Sequence, residues 1–138
     1  MNRTDLQRLS NARIREAKIL FAAGEYSGAY YLSGYAVECG LKACFARGVK
    51  RYDFPDRKGT GKIFTHKLSD LVTLANLDAE LLVARQVSQK FLAGWDVVSK
   101  WNEESRYSSV LTKGDAEEIL DAIVRRKDGV LPWIKRHW

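Results

Sequence analysis

Between Gly24 and Cys44 the chain lays down small and apolar side chains at helical spacing without a break. Ala29, Ser33, Ala36 and Gly40 follow one another at steps of four, three and four, so they share one helical face. Side chains this small let a second helix backbone come close. Beside them Tyr30, Gly34, Val37, Leu41 and Cys44 form another apolar stripe with the same rhythm. A helix apolar on two adjoining stripes belongs at the centre of a bundle, not on its rim. A third stripe, Tyr31, Tyr35, Glu38 and Lys42, is aromatic and charged and needs solvent, a partner chain or a ligand opposite it. Glu38 and Lys42 lie one turn apart in the orientation that favours an ion pair. At a helix-packing seam with Tyr31 and Tyr35, that pair would fix the register of a dimer.

The rest of the pattern predicts more helices and no strand. Leu6, Leu9, Ala17 and Leu20 place a first helix over about Asp5 to Ala23, ended by Gly24. The connection Gly24-Glu25 is so short that helices one and two must form an antiparallel hairpin. The second helix runs from about Tyr26 to Arg47, and Gly48 stops it. Residues 49–65, punctuated by Pro55, Gly59 and Gly61, show neither period and form a long loop. A third helix starts near Thr65 as its cap and carries Leu68, Leu71, Val72 and Ala75. Asp78 caps a fourth, whose Leu81, Ala84, Ser88, Phe91, Trp95 and Val98 run on for several turns. A second irregular stretch lies between Lys100 and Leu111. Thr112 with Asp115 then resembles a capping arrangement before a fifth helix bearing Ala116, Ile119, Leu120, Ile123 and Lys127. Gly129 stops it, and residues 132–138 add one more turn or two. The expected fold is an all-α, up-and-down bundle of four to five helices in a single domain spanning residues 1–138.

Composition narrows the class without naming a function. A hydrophobic share of 46% over 138 residues supports one globular core. No apolar run approaches the roughly 20 residues that span a bilayer, and the polar start from Met1 to Arg15 is no secretory signal. Cys39 and Cys44 project from one helix in different directions, so they read as reduced core residues. The expectation is a cytoplasmic protein without membrane, metal or cofactor.

Charge changes the picture more. From Lys42 to Lys67 eight basic residues (Lys42, Arg47, Lys50, Arg51, Arg57, Lys58, Lys62, Lys67) face only Asp53 and Asp56, a local balance of +6. The remaining side chains sum to zero, so the whole net charge of +6 sits in one segment. Such a segment attracts an anion or a phosphate backbone; a solvated basic loop is the plainer reading. Residues 57–62 look like a phosphate loop, but Asp56 and Ile63 stand where a P-loop needs glycine and Ser or Thr. Arg57, Lys58, Lys62, His66 and Lys67 are the candidate phosphate contacts. His66 is also a candidate acid or base, because its ring titrates near neutrality; against that stands a ring that only caps a helix or packs on the loop. Arg106 and Tyr107 follow two tryptophans, where a stacked Arg fits.

Taken together, several blocks resemble the HEPN domain family, in its small prokaryotic form. They are Ala12-Arg13 through Glu16-Ala17, residues 24–32 (GEYSGAYYL) and residues 34–43 (GYAVECGLKA). The His-x-Leu step at residues 65–68 and Trp101 followed by Arg106-Tyr107 complete the pattern. The resemblance implies a helical bundle that dimerises and works around RNA or nucleotides. Many members are metal-independent ribonucleases, often toxins paired with a nucleotidyltransferase antitoxin; others are non-catalytic binding modules. The nuclease branch carries R-x4-6-H, its Arg stabilising phosphate charge and its His handling the 2′-hydroxyl proton.

This chain departs from that motif. Residues 59–61 before His66 are Gly, Thr and Gly, and residues 130–132 before His137 are Val, Leu and Pro. A split site pairing His66 with Arg57 or Arg106 has no motif behind it. Three readings follow. The first is a non-catalytic or divergent homodimeric module that binds RNA, nucleotide or a partner protein. The second is a ribonuclease toxin with an unconventional acid–base pair, and the third an interaction subunit of a nucleotidyltransferase complex.

Overall fold

The computed structural model describes residues 1–49, 65–107 and 110–138. Among these residues it is all-helical: seven α-helices and one 3-10 turn, with no strand. α1 (Arg3–Ala22) and α2 (Tyr26–Gly48) form the expected hairpin, turned at Gly24 with φ +82°. That left-handed backbone is the reason for a glycine there. Asn2 starts α1 with a capping box: its side chain accepts from the Asp5 amide, while Asp5 accepts from the Asn2 amide. Asn2 as a cap escaped the sequence reading because the apolar pattern begins only at Leu6.

α2 is the axle of the bundle. Its two apolar stripes are buried almost throughout, from Ala29 to Cys44. The small stripe does bring a second backbone close: the Ser10 hydroxyl of α1 donates to the Ala36 carbonyl at 2.7 Å. A Cβ on Gly40 would stand 3.0 Å from Ile134, so a larger residue would push that side chain away.

Beyond α2 the chain breaks more often than its periodicity predicts. α3 covers Leu68–Leu74, three residues later than the Thr65 start, and Lys67 is its N-cap residue without a side-chain cap bond. Thr65 Oγ1 instead accepts from the Lys67 amide at 3.2 Å. The long fourth helix is two helices, α4 (Asp78–Val87) and α5 (Gln89–Ser99). Between them Ser88 takes an extended backbone (φ −133°, ψ 118°), and its hydroxyl accepts from the Phe91 amide at 3.1 Å. A serine that caps a new helix outweighs an unbroken 3.6-residue rhythm. Leu77, not Asp78, is the cap residue of α4; the Asp78 carboxylate accepts from the Thr73 hydroxyl. Glu103–Tyr107 form the 3-10 turn, α6 spans Lys113–Val124 and α7 spans Val130–Lys135. Thr112 and Asp115 make the full capping box that their spacing suggested, the shorter Asp reaching back well enough at 2.9 Å.

Both cysteines are free and buried against the core. Burial, with Glu38 adding for Cys39, pushes the Cys39 thiol up to about 11 and the Cys44 thiol up to about 12, from an ordinary 9.0. Above pH 9 the unfolded chain therefore loses thiol protons that the folded chain keeps. Stability is expected to hold below that pH and to fall above it, by roughly 1.4 kcal/mol per pH unit for each thiol at most. Urea midpoints taken below and well above pH 9 measure this. A Cys39→Ala, Cys44→Ala variant should lose less on the alkaline side, and an equal loss would contradict the assignment.

Candidate functional site

Residues 31, 34, 35, 38 and 42 lie at helical spacing on one side of α2, where Tyr31, Tyr35, Glu38 and Lys42 were expected to meet solvent, a partner chain or a ligand. Two other parts of the same chain cover this side. Residues 65–67, ahead of α3, lay His66 against Glu38. Residues 101–104, after α5, lay Trp101 over Gly34 and bring Glu103 to the far edge of the His66 ring.

Glu38 is only 1% exposed, unusual for a carboxylate without partners. It has two: His66 Nδ1 at 2.5 Å from Oε1, and Lys42 Nζ at 3.6 Å from Oε2. The other ring nitrogen, His66 Nε2, lies 3.0 Å from Glu103 Oε2. Each ring nitrogen thus has a carboxyl group of its own within hydrogen-bond reach, one from α2 and one from the 3-10 turn. The imidazole is thereby a brace between α2 and the 3-10 turn. The aromatic members are stacked alongside: Tyr31 lies 6.0 Å from Tyr35 and 6.0 Å from Trp101, centroid to centroid. The Trp101 indole sits face-on above Gly34, where a Cβ would come within 2.3 Å of three ring atoms. Burial, with Cys39 and Glu38 nearby, pushes the Tyr35 hydroxyl above its ordinary value.

His66, Lys67, Lys100, Trp101, Asn102 and Glu103 line most of a cleft of about 500 Å³ beside this brace. Lys67 is exposed at its edge. Arg57, Lys58 and Lys62 lie outside the described residues, as does the side chain of Arg106. Among the described residues no three His, Cys, Asp or Glu side chains are arranged for a metal ion, and no helix is long and apolar enough to cross a membrane.

Sequence reasoning found Glu38, Lys42, His66 and Trp101 and the Glu38–Lys42 pair, but not the contacts that bring His66 and Trp101 onto α2. Lys67, not His66, is the N-cap residue of α3, and the His66 ring reaches back 28 residues to Glu38 of α2. The available signal was Glu38 itself, a carboxylate set among small and apolar residues from Ala36 to Leu41. A charge buried there requires partners, and Lys42 one turn on is only one of them. Glu103 carried no comparable signal, because it sits in a polar stretch.

The described residues thus form a helical bundle on a glycine-bearing axle, with a carboxylate–histidine brace and a cleft at its side. The chain belongs to the HEPN domain family, whose model matches residues 4–126. No curated protein and no solved structure is significantly similar to it.

Proposed function

We propose that this chain is a non-catalytic HEPN module that binds RNA through its basic segment. The observation that carries the reading is the engagement of both His66 ring nitrogens by carboxylates. Metal-independent RNA cleavage needs a base free to take the 2′-hydroxyl proton and a cation fixed at the phosphate. His66 has no ring nitrogen left for the first task, and no Arg stands at the spacing for the second. What remains is charge. A segment carrying +6 between residues 42 and 67 is matched by a polyanion better than by a single nucleotide, which would leave most of it unused. Exposed Lys67 connects that segment to the cleft beside His66.

Fluorescence anisotropy with a single-stranded RNA over a salt series tests this. Binding should weaken steeply with salt, with a log–log slope of about −0.7 for each phosphate neutralised. Replacing Arg57, Lys58 and Lys62 together with Ala should weaken binding and make the slope shallower by about 2. The RNA should be recovered intact. Salt-independent binding, an unchanged triple variant, or cleavage that disappears with His66→Ala would each refute the reading.

A further inference from the structure

Two hydrogen bonds hold the Glu38–His66–Glu103 brace, and each needs a proton of its own. Oε1 of Glu38 lies 2.5 Å from His66 Nδ1, and Oε2 of Glu103 lies 3.0 Å from His66 Nε2. An ionised carboxylate only accepts, and so does a ring nitrogen without its proton. The three groups must therefore hold two protons between them for both contacts to bond, whichever atoms carry them. With one proton, one contact sets lone pair against lone pair. A neutral imidazole flanked by two carboxylates is that state, and imidazole is the side chain whose ordinary titration falls between about pH 5 and 8.

The contact that gives way is the one to Glu103. Glu38 is fixed in the middle of α2, 1% exposed, and its charge would be stranded without the ring. Glu103 is 41% exposed and begins the 3-10 turn, so its carboxylate has water to go to. The segment it belongs to is also poorly satisfied. The Trp101 indole nitrogen and the Ser105 hydroxyl are buried with no hydrogen-bond partner among the described residues, a cost that water would relieve. The other charged groups around the ring do not titrate in its place. Lys42 of α2 is paired with Glu38, while Lys67, Lys100 and Glu104 border the cleft. Lysine and glutamate side chains ordinarily keep their charge over that range. Tyr35 and Cys39, on the same part of α2, are pushed further up by burial.

We propose that the brace is a proton-operated latch: the 3-10 turn is closed on His66 while the three groups hold two protons, and moves off it as pH rises and one is lost. The cleft that His66 and Glu103 line then widens. The inference rests on the brace alone and does not depend on RNA binding.

Hydrogen exchange read residue by residue by NMR, over a series from about pH 5.5 to 8.5, tests it. The Ser105 amide, which donates to the Asn102 carbonyl at 3.2 Å, reports the turn. Its protection, corrected for the intrinsic effect of pH on exchange, should fall about tenfold or more across the series, as loss of a hydrogen bond to a charged group implies. Amides within α2 should keep theirs. The fall should share its midpoint with the ring signals of His66, not with those of His137. In Glu103→Gln the side-chain amide can donate to a bare ring nitrogen or accept from a protonated one, so protection should be the same throughout the series. That variant leaves Glu38 and His66 paired and should keep its helical circular dichroism. Wild-type protection independent of pH, a fall just as large in Glu103→Gln, or a midpoint that follows His137 would overturn the proposal.

Discussion

Replacing His66 with alanine is expected to destabilise the fold by about 2–3 kcal/mol, more than a half-exposed side chain usually costs. The reason is what it leaves behind. Glu38 is 1% exposed, and without the imidazole its carboxylate keeps only Lys42, at 3.6 Å. Breaking a fully buried pair costs about 3–5 kcal/mol because a charge is stranded. Here Lys42 remains and water can enter where the ring stood, so the lower figure applies. Glu103→Ala should cost under about 1 kcal/mol, since Glu103 and His66 are each 41% exposed on that side. Urea unfolding followed by circular dichroism separates the two. Equal losses would mean that the burial of Glu38 does not govern the brace.

Gly34→Ala is expected to destabilise by about 2 kcal/mol, although alanine is the better helix former by about 1 kcal/mol. The new Cβ would lie 2.3 Å from Cδ1, Cδ2 and Cε2 of Trp101, far inside the ~3.5–4.0 Å of ordinary carbon contact. The obstacle is a rigid ring, 3% exposed, and not the far end of a flexible side chain. Displacing it also draws Glu103, two residues on, away from His66. Gly34→Val should be worse, and tryptophan emission should shift to the red in both. Gly48→Ala is the internal control: among the described residues nothing lies within 4 Å of its added Cβ, so it should be neutral or slightly stabilising. A Gly34→Ala variant as stable as Gly48→Ala would show that Trp101 does not pack on α2 in this way.

These two expectations show where the sequence was legible. α2 could be read because its burial repeats every turn, and Gly24 and Gly48 mark its ends. Periodicity reports a face, however, and not what covers it. Gly34 read as one more small residue in an apolar stripe, and only the fold reveals that an indole 67 residues away requires it. The Ser88 break was hidden for a related reason. The apolar rhythm continues through it, and a serine inside a helix looks much like a serine that ends one. The Thr112–Asp115 box was visible because both of its members are local. His66 lay between these cases: its residue type marked it, while its partners came from residues 38 and 103.

The non-catalytic reading depends on His66 acting together with Glu38 as a brace, and a double-mutant cycle measures that directly. Glu38→Gln, His66→Ala and the double variant are unfolded in urea beside the wild type. The two residues should be coupled by more than about 1 kcal/mol, with the double variant more stable than the sum of the single losses implies. Coupling within error of zero would mean that the ring is not committed to Glu38, and would free His66 for the proton transfer denied to it here.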